Sequence, residues 1–455
     1  MSQAPDARSL ALSALHAMRR REAFADAVLD GVLGRHPELD ARGRGLTSHL
    51  VYGVLRWQNR LDAHLARASS RPLEKTHPLL LDILRLGAYQ LLFLDRVPDR
   101  AAVSESVELA RRSGHAHASG FVNAVLRKVA AQGPDLTLPA DPAMRLSLLF
   151  GCPVWLVEVW RREHGEVGAE RLCRAASVIP TLTVRIDLAA ASRADVLAEL
   201  GAEGVTAGAG RWAPEAVWVE GAGDPRALGV VARGGAVVQD QASQLIAHWV
   251  APQPGWSVLD ACAAPGLKAT HLARLTGEGS RIVALDVHPH RVRMIEELSR
   301  RLGIGNVEVR CADAREYRPD DGRLFDAVLV DAPCSGLGVL SRTPDAKWRR
   351  SPEEAAALPA LQLALLRNLA DAVRPGGILV YATCTTLRAE NEDLVAAFLA
   401  ERPDFHRTPP PPGPVAWAAV TSAEGDLRTY PDHVGEAGGE ALDGFFGARL
   451  ARSHE

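Results

Sequence analysis

The stretch WSVLDACAAPGLKATHLARLTGEGSRIVALD (Trp256–Asp286) decides the fold. WSVLDAC reads as a buried strand, the residues up to Thr276 as a helix, and RIVALD as a second strand. The same rhythm runs on through a helix to Leu302, then NVEVRCAD, then FDAVLVDAPC (Phe325–Cys334). A helix over Glu353–Val373, GGILVYATC (Gly376–Cys384) and a helix over Glu390–Ala400 complete it. Apolar strands alternating with amphipathic helices predict an α/β fold, a parallel Rossmann-like sheet with helices on both faces. The segment from Pro409 carries a proline run and ends in DGFFGARLAR, which reads as a last strand.

Upstream the character changes. TVRID (Thr183–Asp187), AVWVE (Ala216–Glu220) and AVVQD (Ala236–Asp240), with a helical ADVLAEL between the first two, predict a small α+β unit over 179–238. Residues 136–178 read as a helical linker region with two short helical patterns. Before the proline-rich QGPDLTLPADP (Gln132–Pro142), residues 1–135 are helix after helix. In LVYGVLRWQNRLDAHL the apolar Leu50, Val54, Leu55, Leu61 and Leu65 share one face, as expected of an all-α bundle. The sheet domain is thus placed at 239–455.

Of 455 residues, 47% are hydrophobic and 24% charged, a globular composition that excludes a wholly disordered chain. The most apolar run, Leu79–Leu94, is interrupted by Asp82 and Arg85, which argues against a membrane span. MSQAPDARSL has no apolar signal core, so a cytoplasmic location is expected. Six cysteines without a CxxC pair speak against both a disulfide framework and structural zinc, and no metal is expected. Residues 1–135 hold 19 basic against 14 acidic side chains, the remainder 33 against 41, which is compatible with an anionic partner at the N-terminal end.

Function in such sheets sits at the carboxyl ends of the strands. The first turn, Cys262-Ala263-Ala264-Pro265-Gly266-Leu267-Lys268, lacks both GxGxxG and a phosphate-cradling loop, yet its small residues admit a ligand near the backbone. The second strand ends at Asp286 and the third in Cys311-Ala312-Asp313. Either acid alone reads as a turn residue; together they suit the ribose and adenine of an adenosine-containing ligand. S-adenosyl-L-methionine fits that description better than a dinucleotide.

The fourth strand ends Asp331-Ala332-Pro333-Cys334 and the fifth Ala382-Thr383-Cys384-Thr385. A lone cysteine is usually a small buried hydrophobe, the reading given to Cys152, Cys173 and Cys311. Cys334 and Cys384 instead follow their strands into the ligand crevice. A thiol beside a methyl donor has a use in cytosine chemistry. Cytosine C5 is too weak a nucleophile to take a methyl group until a thiolate adds to C6. Asp331 is placed to hydrogen-bond the N3 edge of the base and make C6 more electrophilic.

LDACAAPGLK, FDAVLVDAPCSGLG, TPDAKW and LVYATCT closely resemble the RNA cytosine-C5 methyltransferases of the NOL1/NOP2/Sun family. LVYGVLRWQNRLDAHL and SGFVNAVLRK resemble the NusB-type RNA-binding domain that is fused to the bacterial small-subunit ribosomal RNA enzyme of that family. The resemblance implies that Cys384 is the nucleophile and that Cys334 assists the elimination freeing the product. It implies S-adenosyl-L-methionine bound by Cys262–Lys268, Asp286, Asp313 and Asp331, and a cytosine of 16S ribosomal RNA as target. Two positions depart from the family pattern: Leu267 replaces a second glycine, and Thr385 a serine.

SRTPDAKWRR (Ser341–Arg350) combines Arg342, Lys347, Trp348, Arg349 and Arg350. Cations with an aromatic suit phosphate contact and base stacking, so these residues are the expected RNA contacts, the other reading being a loop anchored by a buried tryptophan. A transfer-RNA cytosine-C5 methyltransferase and a catalytically silent RNA-binding assembly factor stay open as alternatives.

Overall fold

The computed structural model describes residues 6–21, 24–319, 322–431 and 441–454, so the first five residues of MSQAPDARSL lie outside it. The chain divides into two compact units, one of residues 1–179 with 340–349, the other of 180–339 with 350–455.

The first unit is helical, with long helices Ala41–Ala68, Pro78–Phe93, Asp99–Arg112 and Ser119–Gln132 preceded by Ala7–Arg21 and Ala25–Gly34. Leu50, Val54, Leu61 and Leu65 are buried with Ile83, Leu84, Val122 and Leu126 in one apolar core. The charges that interrupt Leu79–Leu94 are paired inside it. Asp82 is buried against Arg19, and Arg85 grips Asp62 at 2.6 and 2.7 Å. Burial pushes the Asp82 carboxyl up to about 6. No single helix among the described residues is long and apolar enough to cross a membrane.

Helix Ala41–Ala68 breaks at Trp57 (φ −113°, ψ 15°). Side chains from 340–349 bond at the break, a recognised cause of a helix kink. Lys347 Nζ donates to the Arg56 carbonyl at 2.9 Å, Trp348 Nε1 to the Leu55 carbonyl at 2.5 Å, and Arg56 Nη2 to the Ser341 carbonyl at 2.6 Å. Asp345 accepts from the Ala25 amide at the head of helix Ala25–Gly34, at 3.1 Å.

In the second unit β1 (Leu182–Ile186), β2 (Thr206–Ala209), β3 (Ala216–Glu220) and β4 (Ala236–Val238) form an antiparallel sheet in the order β2-β3-β1-β4. The strand β2 escapes sequence reading because TAGA has only one β-branched residue and no aromatic. Helix Arg193–Ala202 opens with a Ser192–Asp195 capping box.

The large sheet has β5 (Ser257–Asp260), β6 (Arg281–Asp286), β7 (Val307–Cys311), β8 (Phe325–Asp331), β9 (Val373–Thr383), β10 (Phe405–Arg407), β11 (Leu427–Arg428) and β12 (Phe446–Arg452). Its order is β10-β12-β9-β8-β5-β6-β7, with β11 on β12. The strands β5 to β9 pair in parallel, whereas β12 runs antiparallel to β9. Strand order therefore reverses between β5 and β8, the switch point at which doubly wound sheets open a crevice. Cys311, read as a buried hydrophobe, is exposed instead, at the end of edge strand β7.

Gly151 ends helix Pro142–Phe150 at φ 68°, where a Cβ would fall 2.3 Å from the Arg56 carbonyl oxygen. Gly151→Ala should therefore cost about 2–4 kcal/mol in a urea unfolding experiment, from positive φ and the clash together. An unchanged midpoint would show that this contact at the break is dispensable.

Candidate active site

The turn after β5 ends in Gly266, whose φ of 103° and 3.2 Å gap between a would-be Cβ and Ile295 Cα leave room for glycine alone. Helix Leu267–Thr276 follows at once. Leu267 starts it with negative φ and lays its half-buried side chain on the apolar core, so this position has no backbone need for glycine. Arg185 of β1 holds the helix start, donating to the Leu267 carbonyl at 2.6 Å and to Thr270 Oγ1 at 3.0 Å. Nothing in TVRID singles Arg185 out, because its partners lie more than fifty residues away in sequence.

Lys268 points back over the turn. Its Nζ lies 2.6 Å from Asp331 Oδ2 and 5.3 Å from the centre of the Phe445 ring. Burial opposes the ammonium charge, but Asp331, with a smaller contribution from Cys384, holds it above its ordinary range. At the β6 end, Asp286 is buried, accepting from the His288 amide at 3.0 Å and facing Arg291 at 3.5 Å. Asp313, beyond β7, is engaged by Arg315, with Nη2 at 2.5 Å, which holds its carboxyl below the usual range.

One acid escaped the sequence reading. Asp260, the last residue of β5, is fully buried, and among the described residues neither carboxylate oxygen makes a hydrogen bond of full geometry. Burial and then the Asp331 charge push it up to about 7. Its signal was present, as the acid that opens DACAAPG. Buried Asp260 and Asp286 and the Asp331–Lys268 pair form a donor and acceptor set that fits a zwitterionic nucleoside ligand.

Adjacent strands β8 and β9, with Asp331 opposite Ala382, deliver the two thiols. Cys334 Sγ and Cys384 Sγ are 3.4 Å apart, both half-buried. The hydrogen bond to Cys384, then burial, raises the Cys334 thiol well above its ordinary value, so Cys334 keeps its proton at neutral pH.

Buried polar groups fix both loops. Glu390 accepts from the Ser335 amide at 2.9 Å and from Gln362 Nε2 at 2.8 Å. Thr385 shares a 2.7 Å hydrogen bond with Ser335 Oγ, so the hydroxyl survives the serine-to-threonine departure. The Thr385 carbonyl accepts from Asn391 Nδ2 and Arg428 Nη1, and the Cys384 carbonyl from the Gly338 amide at 2.9 Å. Glu390, Gln362 and Arg428 were missed because they touch backbone and carry no motif of their own.

The expected RNA contacts need correcting. Lys347 is fully buried in the helical unit, and Trp348 spends its indole N–H on the Leu55 carbonyl, so neither is presented to a nucleic acid. Arg349 lies 4.6 Å over the Phe24 ring. Arg350 donates to the Ser335 and Cys334 carbonyls at 3.3 and 3.4 Å, bracing the thiol loop. Arg342 is half-buried. The mixture of cations with tryptophan serves as an anchor for most of its length. The physical reason is the set of helix carbonyls exposed at the Trp57 break.

The Asp260 carboxyl sits at about 7 in the folded chain against an ordinary 3.8, so folding takes up a proton between those values. Its contribution to stability is full below about pH 4 and is lost as pH rises through 7. The stability of Asp260→Asn relative to the parent should therefore rise from pH 4 to pH 8, by an amount on the order of 3 kcal/mol. Parallel denaturation curves for the two proteins across that range would contradict the assigned environment.

Family models match along the chain: NusB family over 5–131, an RsmF/B-like ferredoxin-like domain over 152–225, and 16S rRNA methyltransferase RsmB/F over 247–451. The probable ribosomal RNA small subunit methyltransferase B of Bacillus subtilis (strain 168) is 38% identical over 88% of this chain and 89% of its own. The protein of that name from Synechocystis sp. is 36% identical over 98% and 99%. The crystal structure of PH0851 superposes over 99% of both chains with a TM-score of 0.83 at 24% identity, a likeness of fold. NSun6 from Pyrococcus horikoshii with SFG covers 68% of this chain and all of its own, at TM-score 0.58 and 22% identity. With three consecutive domains matched and more than a third of the residues identical to relatives of nearly the same length, the chain belongs to the small-subunit ribosomal RNA methyltransferase B family.

Proposed function

We propose that this enzyme transfers a methyl group from S-adenosyl-L-methionine to C5 of a cytosine in 16S ribosomal RNA, through a covalent bond between Cys384 and C6. The observation that carries this reading is the 3.4 Å approach of two thiols beside the Lys268–Asp331 pair, at the carboxyl ends of neighbouring strands. Amino-group methylation has no use for a second sulfur. A structural neighbour that carries SFG, an analogue of the methyl donor, supports the cofactor assignment.

The turn Cys262–Lys268 with Asp286 and Asp313 would hold S-adenosyl-L-methionine, which when bound would supply an electrophilic methyl group. Asp331, whose carboxylate Lys268 fixes, accepts from the N4 amino group on the N3 side of the cytosine. Cys384 attacks C6 as the thiolate, forming the C6–S bond and moving the electron pair onto C5. That carbon takes the methyl group as the donor's S–CH3 bond breaks and its electron pair stays on sulfur, leaving S-adenosylhomocysteine. Cys334, protonated while Cys384 is free, no longer faces a second ionisable sulfur once Cys384 is a thioether. It can then release its own proton to solvent and, as the thiolate, take the C5 proton. The released electron pair re-forms the C5–C6 double bond, and Cys384 leaves as thiolate. The target base must leave any stack to reach the thiols, so an unpaired or bulged cytosine is the expected substrate.

Incubation with methyl-labelled S-adenosyl-L-methionine and unmethylated RNAs, followed by mapping, tests this. Label at a cytosine of small-subunit RNA is expected. Label confined to transfer RNA would move the substrate, and none in any RNA would leave a silent binder. Cys384→Ala should bring transfer to background, whereas Cys334→Ala should accumulate protein crosslinked to RNA. Full activity of Cys384→Ala would overturn the assignment.

A further inference from the structure

No spacing in the sequence suggested a metal, yet the fold brings three ligand-type side chains together away from the methyl-transfer residues. Glu215 precedes β3, His248 lies on helix Gln241–Val250, and His271 on helix Leu267–Thr276. His248 Nε2 is 2.9 Å from Glu215 Oε2, and His271 Nε2 is 3.6 Å from Glu215 Oε1. The two imidazoles meet edge to face with centroids 5.1 Å apart, and one ligand atom from each residue lies within 4.8 Å of the others.

His271 is the informative member. It is 1% exposed, and among the described residues neither ring nitrogen makes a full hydrogen bond, Glu215 Oε1 lying 3.6 Å from Nε2. A buried imidazole left so costs free energy unless something takes its lone pair. His271 and Glu215 also line a cavity of about 150 Å³, with Arg185, Asp187 and Arg274 further along its wall. The two arginines are already engaged. Arg185 is bonded to Gln239, Thr270 and the Leu267 carbonyl, and Arg274 pairs with Asp187 at 2.9 Å.

Two imidazole nitrogens and one carboxylate oxygen make a borderline-soft set suited to zinc. Zn–N and Zn–O bonds of about 2.0–2.2 Å in a tetrahedron place neighbouring donors roughly 3.3 Å apart. Here the two imidazoles approach different oxygens of the one carboxylate, at 2.9 and 3.6 Å, and one ligand atom from each residue lies within 4.8 Å of the others. We propose that Glu215, His248 and His271 form a zinc site whose fourth position opens to the cavity. There a water would complete the coordination. Bound zinc would pin the loop before β3 to the helix that begins at Leu267, immediately after the turn that reads the methyl donor. The site stands independently of the proposed cytosine chemistry.

Chelator-stripped full-length protein titrated with Co²⁺ tests the site directly. The expected result is one equivalent per chain with the visible absorption of a four-coordinate ion bound by nitrogen and oxygen, displaced stoichiometrically by Zn²⁺. His271→Gln and His248→Gln should each weaken Zn²⁺ binding by at least about a hundredfold, the upper end of losses seen when only an outer partner of a ligand is removed. The parent spectrum decides even if a variant folds poorly. A parent that leaves Co²⁺ six-coordinate in water would overturn the proposal. So would a thiolate charge-transfer band that survives His271→Gln, since the ion would then sit on cysteines.

Discussion

The parallel pairing of β8 with β9, Asp331 opposite Ala382, is the constraint on which the rest of the site depends. Both strands are buried on both faces, Val328, Val330, Leu379 and Tyr381 in one apolar core and Ala327, Leu329, Ile378 and Val380 in the other, so a slip in register would exchange the residues fitted to two different cores. Each strand then ends in a loop that carries a thiol. Glu390, Thr385 and Arg428 satisfy the polar groups of those loops, leaving the sulfur atoms 3.4 Å apart. One strand further along, β5 ends in the turn that sends Lys268 back to Asp331. Three neighbouring strand ends thus converge on one crevice, as the strand order requires.

Most of this sheet was legible because buried parallel strands are continuous apolar runs bounded by chemically distinctive ends. The strands read at Trp256–Cys262, Arg281–Asp286 and Phe325–Cys334 all have counterparts in the sheet. Legibility failed where meaning depends on a distant partner. Arg185 and Glu390 look like ordinary strand and helix charges until their acceptors and donors arrive from elsewhere in the chain. Asp260 was hidden differently, as an apparent strand residue whose burial without a full hydrogen bond only coordinates reveal.

The Ser341–Arg350 segment shows why composition alone misleads. Cations around a tryptophan suit RNA, but they equally suit the broken turn of a helix, where carbonyls need donors. Here Lys347 and Trp348 meet the carbonyls of Arg56 and Leu55, while Arg350 turns to the Cys334 loop. The two departures from the family pattern follow the same lesson in reverse. Leu267 extends the apolar core, and Thr385 keeps the hydroxyl that bonds Ser335, so local geometry absorbs both.

The central claim is a bond between one sulfur and the pyrimidine ring. Small-subunit RNA made with 5-fluorocytidine tests it, because fluorine at C5 cannot leave as a proton and elimination stalls after methyl transfer. Digestion and mass spectrometry of the reacted complex should then find the methylated, fluorinated nucleotide attached to the peptide containing Cys384. Attachment at Cys334, or methylation of ordinary RNA with no trapped adduct on the fluorinated one, would contradict the account.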